Sequence, residues 1–142
     1  MTRVEFFFNV PNKFAKIADL CDKAVNRGRQ LTIFTPDDAV SSALQQHFWQ
    51  QSTTSFLPSS LSNSDYGQFS PIVLDSNGSL LLQDDVLINL QDQHPPFFSR
   101  FKYLVELVGL DEADKTSARS KFRFYRDRGY EIKSTNMADK ES

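Results

Sequence analysis

The sequence is poor in the residues that most catalytic and cofactor-binding sites require. Its 142 residues include five glycines, two histidines and one cysteine. Cys21 has no second cysteine with which to form an internal disulfide, so a reducing cytoplasmic setting is expected. No apolar run reaches the roughly 18 residues of a transmembrane helix, and the N-terminus lacks the small-residue cleavage site of a signal peptide.

These shortages bear directly on chemistry. The sequence contains neither G-x-G-x-x-G nor G-x-x-x-x-G-K-[ST], so backbone amides are not expected to approach a pyrophosphate closely. His47 and His94 are not accompanied by a cysteine cluster, and no G-x-S-x-G motif is present. Cys21 lies on the apolar face of the first predicted helix, as a core residue would. We therefore predict no catalytic group, no cofactor and no metal.

The charge is distributed unevenly along the chain. The formal net charge is −2, but residues 115–133 carry +5 and the remainder carries −7. An acidic body repels a nucleic-acid backbone, whereas one basic segment can attract an acidic partner. An acidic peptide is therefore a better expected ligand than non-specific DNA.

The first fifty residues alternate between two patterns. Residues 4–10, VEFFFNV, are hydrophobic at nearly every position, which is typical of a strand covered on both faces. Residues 12–27 place apolar side chains at helical spacing. Residues 30–35 are a second predicted strand, and a second helix is predicted to follow with Thr35 as its N-cap. This order is typical of an α/β fold.

The predicted architecture is a single Rossmann-like three-layer α/β domain over residues 1–135. It has a mostly parallel central sheet, helices on both faces and no nucleotide-binding motif, and residues 136–142 are predicted to be a polar, disordered tail. Residues 71–75 and 79–83 flank Ser-Asn-Gly, which predicts a hairpin. Later strands are predicted at 84–90, 103–108 and 130–133, and a long polar loop at 51–69.

The basic segment is predicted to be a helix over residues 116–130. Its arginines recur at i, i+4 and i+7 on one side, beside an apolar stripe: Arg119, Arg123 and Arg126, with Ala118, Phe122 and Tyr125. Two interpretations fit this pattern. The helix either binds a ligand that is both acidic and apolar, or is an amphipathic terminal helix with a solvated basic face.

Several segments, taken in order, resemble the chi subunit family of bacterial DNA polymerase III, whose members are clamp-loader accessory proteins. They are VEFFFNV, Phe48-Trp49 followed by SFLP, DDVLINL, VELV and ARSKFRFYRDRGY. The resemblance runs nearly end to end. It implies a non-catalytic, Rossmann-like subunit that bridges the clamp loader to single-stranded DNA-binding protein during DNA replication.

The resemblance also implies two partners, with DNA contacted only indirectly. One is the psi subunit; the other is the acidic C-terminal tail of single-stranded DNA-binding protein, which ends in Pro-Phe. The positions implied for tail binding are Arg119, Phe122, Arg123, Arg126 and Val108. Phe122 and Val108 are expected to enclose the terminal ring, and an arginine to pair with the terminal carboxylate. Phe122 stands where the family has a tyrosine, and Arg123 where it has a lysine.

The contact with psi is expected near the long loop. The candidates are Trp49, Phe56, Leu57 and Leu61, because the family resemblance is high around them and aromatic residues are favoured interface anchors. The same side chains could instead close the core. Two further functions also remain possible from the sequence: a nucleotide-binding enzyme of the same layout, and a module that binds single-stranded DNA directly through the basic helix.

Overall fold

A computed structural model describes residues 2–51, 59–61, 72–76 and 83–140 of the chain. Strands and helices alternate over residues 3–51, as the hydrophobic pattern predicts. The strands are β1 (Arg3–Phe8), β2 (Leu31–Phe34), β3 (Ser59–Leu61), β4 (Ile72–Asp75), β5 (Val86–Asn89), β6 (Tyr103–Leu107) and β7 (Ile132–Asn136). The α-helices are α1 (Lys13–Asn26), α2 (Asp38–Gln51) and α3 (Glu112–Asp127). No helix in the described ranges is both long and apolar enough to cross a membrane.

The described strands form one sheet in the order β3-β4-β2-β5-β6-β1-β7. Every pairing among them is parallel. β1 lies between β6 and β7, which explains why VEFFFNV has almost no polar position: both edges are hydrogen bonded and both faces are covered. The structure is thus the predicted Rossmann-like α/β fold.

One face of the sheet is covered by α1 and α2. Asn12 caps α1, because its side-chain oxygen accepts a hydrogen bond from Ala15 N at 3.1 Å. Ile17 and Cys21 of α1 and Leu44 of α2 are buried in this layer. Burial raises the pKa of the Cys21 thiol to about 12, so the thiol stays protonated at neutral pH, as expected of a core cysteine.

The opposite face is covered by α3 and a short 3-10 helix, Phe98–Arg100. Phe6 of β1 and Leu104 of β6 project towards these elements, where Tyr125 of α3 is fully buried. Gly129 ends the helix with φ +81°, a conformation that glycine adopts without strain. The predicted helix is confirmed, and it begins four residues earlier than the sequence pattern indicated.

Three boundaries differ from the predictions. Asp37 rather than Thr35 caps α2, because its carboxylate accepts from Val40 N at 2.9 Å while the Thr35 hydroxyl is engaged with Ser41. β7 extends to Asn136, and Met137–Lys140 form a 3-10 helix in which Met137 packs against the first core layer. The disorder of residues 136–142 stays a prediction, although Met137 itself contacts the core.

Two other predictions fall largely on undescribed parts of the chain. β4 confirms the strand predicted at 71–75, and it pairs in parallel with β3 and β2. Its predicted hairpin partner at 79–83 lies outside the described residues except for Gln83. Most of the loop predicted at 51–69 also lies outside them, apart from the short strand β3.

A partly buried ion pair joins the start of β2 to the start of β5. Arg29 donates two hydrogen bonds to the Asp85 carboxylate, one of them from Nε at 2.8 Å, and Gln30 N donates a third at 3.1 Å. The Arg29 hydrogen bond is the main cause that lowers the pKa of Asp85, opposed by burial and aided by Gln30 N–H. Because the folded pKa lies below the unfolded value, this stability is present above about pH 4 and is lost as pH falls further.

We expect Asp85→Asn to lower the free energy of unfolding by about 1–2 kcal/mol at pH 7, since a partly buried charged pair is lost. Urea unfolding at pH 7 and at about pH 3 measures this, and the gap between variant and wild type should shrink at the lower pH. Asp84→Asn, at the exposed neighbouring position, is the control and should change stability by less than about 0.5 kcal/mol. A gap that is independent of pH would contradict the assignment.

Candidate peptide-binding site

A cavity of about 500 Å³ lies between α3 and the sheet, where β1, β6 and β7 meet. This volume falls within the range of ligand-binding clefts. Its walls are aromatic and aliphatic on the sheet side and basic on the helix side. The lining residues are Phe6, Phe8, Asn9, Val108, Lys115, Ala118, Arg119, Phe122, Arg123, Arg126 and Ser134.

The register of the sheet builds the apolar wall. Phe6 of β1 is aligned with Ser134 of β7, so these two side chains project from the same face of the sheet. The Phe6 and Phe122 rings pack with their centroids 5.5 Å apart. Val108 is held at the end of β6, where its N–H donates to Phe7 O at 2.8 Å. The apolar wall is therefore fixed by core packing and backbone pairing.

The basic wall has few acidic neighbours. Arg119 and Arg123 are exposed, and no described carboxylate lies within ion-pair distance of either. Arg126 has one contact, to its neighbour Asp127 at 3.4 Å, between two well-exposed side chains. Such a surface pair contributes little. The arginines are thus available for an anionic ligand.

All five residues that the resemblance implies for tail binding line this single cavity. The sequence pattern itself placed Ala118 and Phe122 beside the arginines, and this also agrees with the structure. Tyr125, the third member of the predicted stripe, instead points into the core. The lining residues that sequence reasoning missed are Phe6, Phe8, Asn9, Lys115 and Ser134. Lys115 lies four residues before Arg119, a spacing that could have revealed it.

A buried polar cluster holds the face of α3 that adjoins the cavity. Glu106 of β6 is fully buried and accepts hydrogen bonds from Lys121 Nζ at 2.8 Å, Tyr125 OH at 2.7 Å and Asn89 Nδ2 at 3.0 Å. Lys121 also donates to Gln91 O at 3.1 Å. The cluster joins α3 to β5 and β6 and fixes which face of the helix meets the cavity.

Burial sets the ionisation of this cluster. It raises the pKa of Glu106, and the nearby Lys121 ammonium and the three donors oppose that rise. Burial and the neighbouring Glu106 raise the pKa of Tyr125, so its hydroxyl remains a donor. Every donor in the cluster has an acceptor, so the group is structural in character.

The structure describes little of the four psi-interface candidates. Trp49 lies in the last turn of α2 and Leu61 in β3, and the structure describes their backbone only. Phe56 and Leu57 lie outside the described residues. The psi interface stays a prediction from the sequence.

Fold and cavity together define a Rossmann-like α/β protein that lacks a glycine-rich phosphate loop and has a cavity suited to an acidic, apolar-ended ligand. The family model described as DNA polymerase III chi subunit, HolC, matches residues 1–133. The chain belongs to the DNA polymerase III chi subunit family.

Two relatives support this assignment. DNA polymerase III subunit chi of Pseudomonas aeruginosa (strain PAO1) is 33% identical over 137 residues, covering 93% of this chain and 94% of the relative. DNA polymerase III subunit chi of Haemophilus influenzae (strain Rd) is 30% identical over 111 residues, covering 78% and 77% respectively. The similarity spans most of each chain, so it concerns the whole domain.

Proposed function

We propose that this chain is a non-catalytic accessory subunit of the DNA polymerase III holoenzyme. It binds the acidic C-terminal tail of single-stranded DNA-binding protein in the cavity under α3, and it joins the clamp loader through the psi subunit. The chain thereby connects the polymerase assembly to protein-coated single-stranded DNA. It carries out no turnover of its own.

The observation that carries this proposal is the composition of the cavity. Arg119 and Arg123, with which no described carboxylate pairs, stand on one wall, and an aromatic, aliphatic surface lies on the other. A peptide that ends in phenylalanine and carries aspartates upstream presents the matching groups: a ring, a terminal carboxylate and further negative charges.

Each group of the tail has a place in the cavity. The terminal ring packs between Phe122 and Val108, against the face of the sheet that carries Phe6. An arginine of α3 binds the terminal carboxylate through two parallel N–H groups, the geometry in which guanidinium is strongest. Upstream carboxylates are attracted to the remaining cations along the helix. Because Phe122 has no hydroxyl, the ring on this wall contributes packing alone.

The proposed contact with psi is inferred from membership of the chi subunit family. Relatives named as subunits of DNA polymerase III imply that the chain works within a larger assembly. Trp49 and Leu61 lie on α2 and β3, away from the α3 cavity in the sheet order, so the two partners can be bound at the same time. This separation is what a bridging subunit requires.

Calorimetric titration tests the proposal. The full chain is titrated with a synthetic acidic peptide that ends in Pro-Phe. We expect Arg119→Ala or Arg126→Ala to weaken binding by about 1–3 kcal/mol, the scale for one lost charge-assisted pair. Affinity should also fall as salt is raised, because the cations involved are exposed. A peptide with the terminal carboxylate amidated is the matched ligand control.

The absence of binding by the wild-type chain would reject the proposal. Two further experiments test the alternative functions, nucleotide binding and direct binding of single-stranded DNA. A thermal-shift screen with nucleotides should leave Tm unchanged, and a clear rise would favour a nucleotide-binding enzyme. A naked oligonucleotide at physiological salt should give no mobility shift, and a shift would favour direct binding of single-stranded DNA.

A further inference from the structure

The outer edge of β7 presents backbone groups that nothing in the described chain covers. β7 is the terminal strand of the sheet and pairs with β1 on one side. Val4 is aligned with Ile132, and Val4 N donates to Glu131 O at 3.0 Å. In a parallel ladder this register turns the N–H and C=O of Ile132 and Ser134 away from β1. No described backbone group pairs with either residue on that outer side.

This edge is continuous with the cavity. Ser134 supplies the outward backbone groups and also lines the cavity with its side chain. A chain whose last residue lies in the cavity therefore reaches the free edge without crossing any intervening element. The geometry is that of a peptide lying between a helix and an edge strand, a recurring mode of peptide recognition.

The charges around the edge favour an acidic chain. Within β7 no residue is acidic, and Lys133 is 76% exposed on the sheet face opposite α3, with Glu5 3.9 Å away. Arg123 and Arg126 stand on the cavity side. Because successive residues of a strand point to opposite faces, consecutive carboxylates would meet cations on both sides. A lysine on an edge strand discourages pairing with apolar chains, so an acidic chain is the class this edge admits.

We propose that an acidic peptide anchored by its C-terminus in the cavity continues along β7 as an additional strand, with its backbone paired to Ile132 and Ser134. This inference rests on the proposed function and adds the conformation and path of the ligand. Backbone pairing recognises no particular side chain. The edge therefore supplies affinity for an extended acidic segment, while the cavity supplies specificity for the terminal residue.

An N-methyl scan of the peptide with the unchanged full chain is the direct test. A long synthetic peptide with an acidic run ending in Pro-Phe is methylated at one backbone amide at a time, and each version is titrated by calorimetry. We expect losses of about threefold to tenfold at alternate upstream amides and little change at those between them, because only alternate amides face β7. Equal effects at every position, or none, would overturn the edge proposal.

A variant of the protein gives an independent measurement. Ile132→Pro removes an outward N–H at the first residue of the edge strand, where proline is tolerated and outside the cavity lining, whereas Ile132→Ala keeps the N–H and measures the loss of the side chain alone. The long peptide should bind the proline variant about threefold to tenfold more weakly than the alanine variant. A tetrapeptide ending in Pro-Phe should not distinguish the two. If the long peptide does not distinguish them either, the edge proposal fails.

These experiments distinguish failure of the proposed function from failure of the added-strand proposal. If neither the long nor the short peptide binds the wild-type chain, the proposed function is wrong. If both bind with the same affinity and the scan shows no alternation, the cavity assignment stands and the added strand is wrong.

Discussion

Replacing Lys121 with methionine is expected to lower the free energy of unfolding by about 3–5 kcal/mol, the scale for removing one partner of a buried ion pair. Glu106 is fully buried, and Lys121 Nζ is its cationic partner at 2.8 Å. Without the ammonium, the carboxylate keeps two neutral donors, Asn89 and Tyr125, but loses its compensating charge. Urea or guanidinium unfolding at pH 7 measures the loss.

The pH dependence of this loss has a defined sign. Burial raises the pKa of Glu106, and removal of Lys121 eliminates an interaction that opposes the rise. A carboxyl whose folded pKa is raised contributes full stability below its unfolded pKa of about 4.3 and loses it as pH rises. The deficit of Lys121→Met relative to wild type should therefore be smaller near pH 4 than at pH 7.

Two variants serve as controls for this prediction. Arg123→Met alters an exposed cation on the same helix and should change stability by about 0.5 kcal/mol or less. Glu106→Gln combined with Lys121→Met removes both charges and should recover part of the loss, because no buried charge is left unpaired. If the double variant is as unstable as the sum of the two single variants, the pair is not coupled as described.

Reversing the charge of Arg119 and Arg123 together is expected to weaken binding of the acidic Pro-Phe peptide by at least about 100-fold. Both arginines line the cavity, and no described carboxylate pairs with either. Substitution by glutamate removes two charge-assisted contacts and adds repulsion against the upstream aspartates. Calorimetry measures the change in affinity. The ionic strength is kept fixed, because salt screens both the lost attraction and the added repulsion.

The matched control reverses the same number of charges elsewhere. Lys23→Glu with Arg27→Glu alters exposed cations at the end of α1, on the other face of the sheet. It changes the net charge equally, so it should reproduce the long-range part of the effect and little more. Equal losses in both double variants would show that binding follows net charge and not the cavity.

The cavity and the buried cluster lie on adjacent faces of one helix. Lys121 and Tyr125 hold α3 to Glu106, while Arg119, Phe122 and Arg123 face the ligand. Because side chains project from a helix at set angles, contacts that orient one face of α3 also orient the neighbouring face. Lys121 therefore binds α3 to the sheet, although in the sequence it is one of several basic residues of the segment.

Much of the fold could be predicted from local pattern. Strands β1, β2, β4, β5 and β6 and the three described α-helices lie where the hydrophobic pattern indicated, because continuous apolar runs and helical spacing are properties of short segments. The cap of α2 was predicted two residues too early, because Thr35 and Asp37 are both favourable capping residues and the pattern does not show which side chain is free. The contact of Met137 with the core was not predicted, because it depends on a core layer formed by distant strands.

The sequence by itself determined the α/β class, the basic helix with its arginines on one side, and the glycine shortage that excludes a phosphate-binding loop. Helical spacing and composition are local, so they are readable without coordinates. Only the tertiary structure decided that Phe6, Phe8 and Ser134 complete the cavity, and that Lys121 and Tyr125 turn towards Glu106. These contacts join residues of β1, β6, α3 and β7, and their meeting depends on strand order and register, which no local pattern encodes.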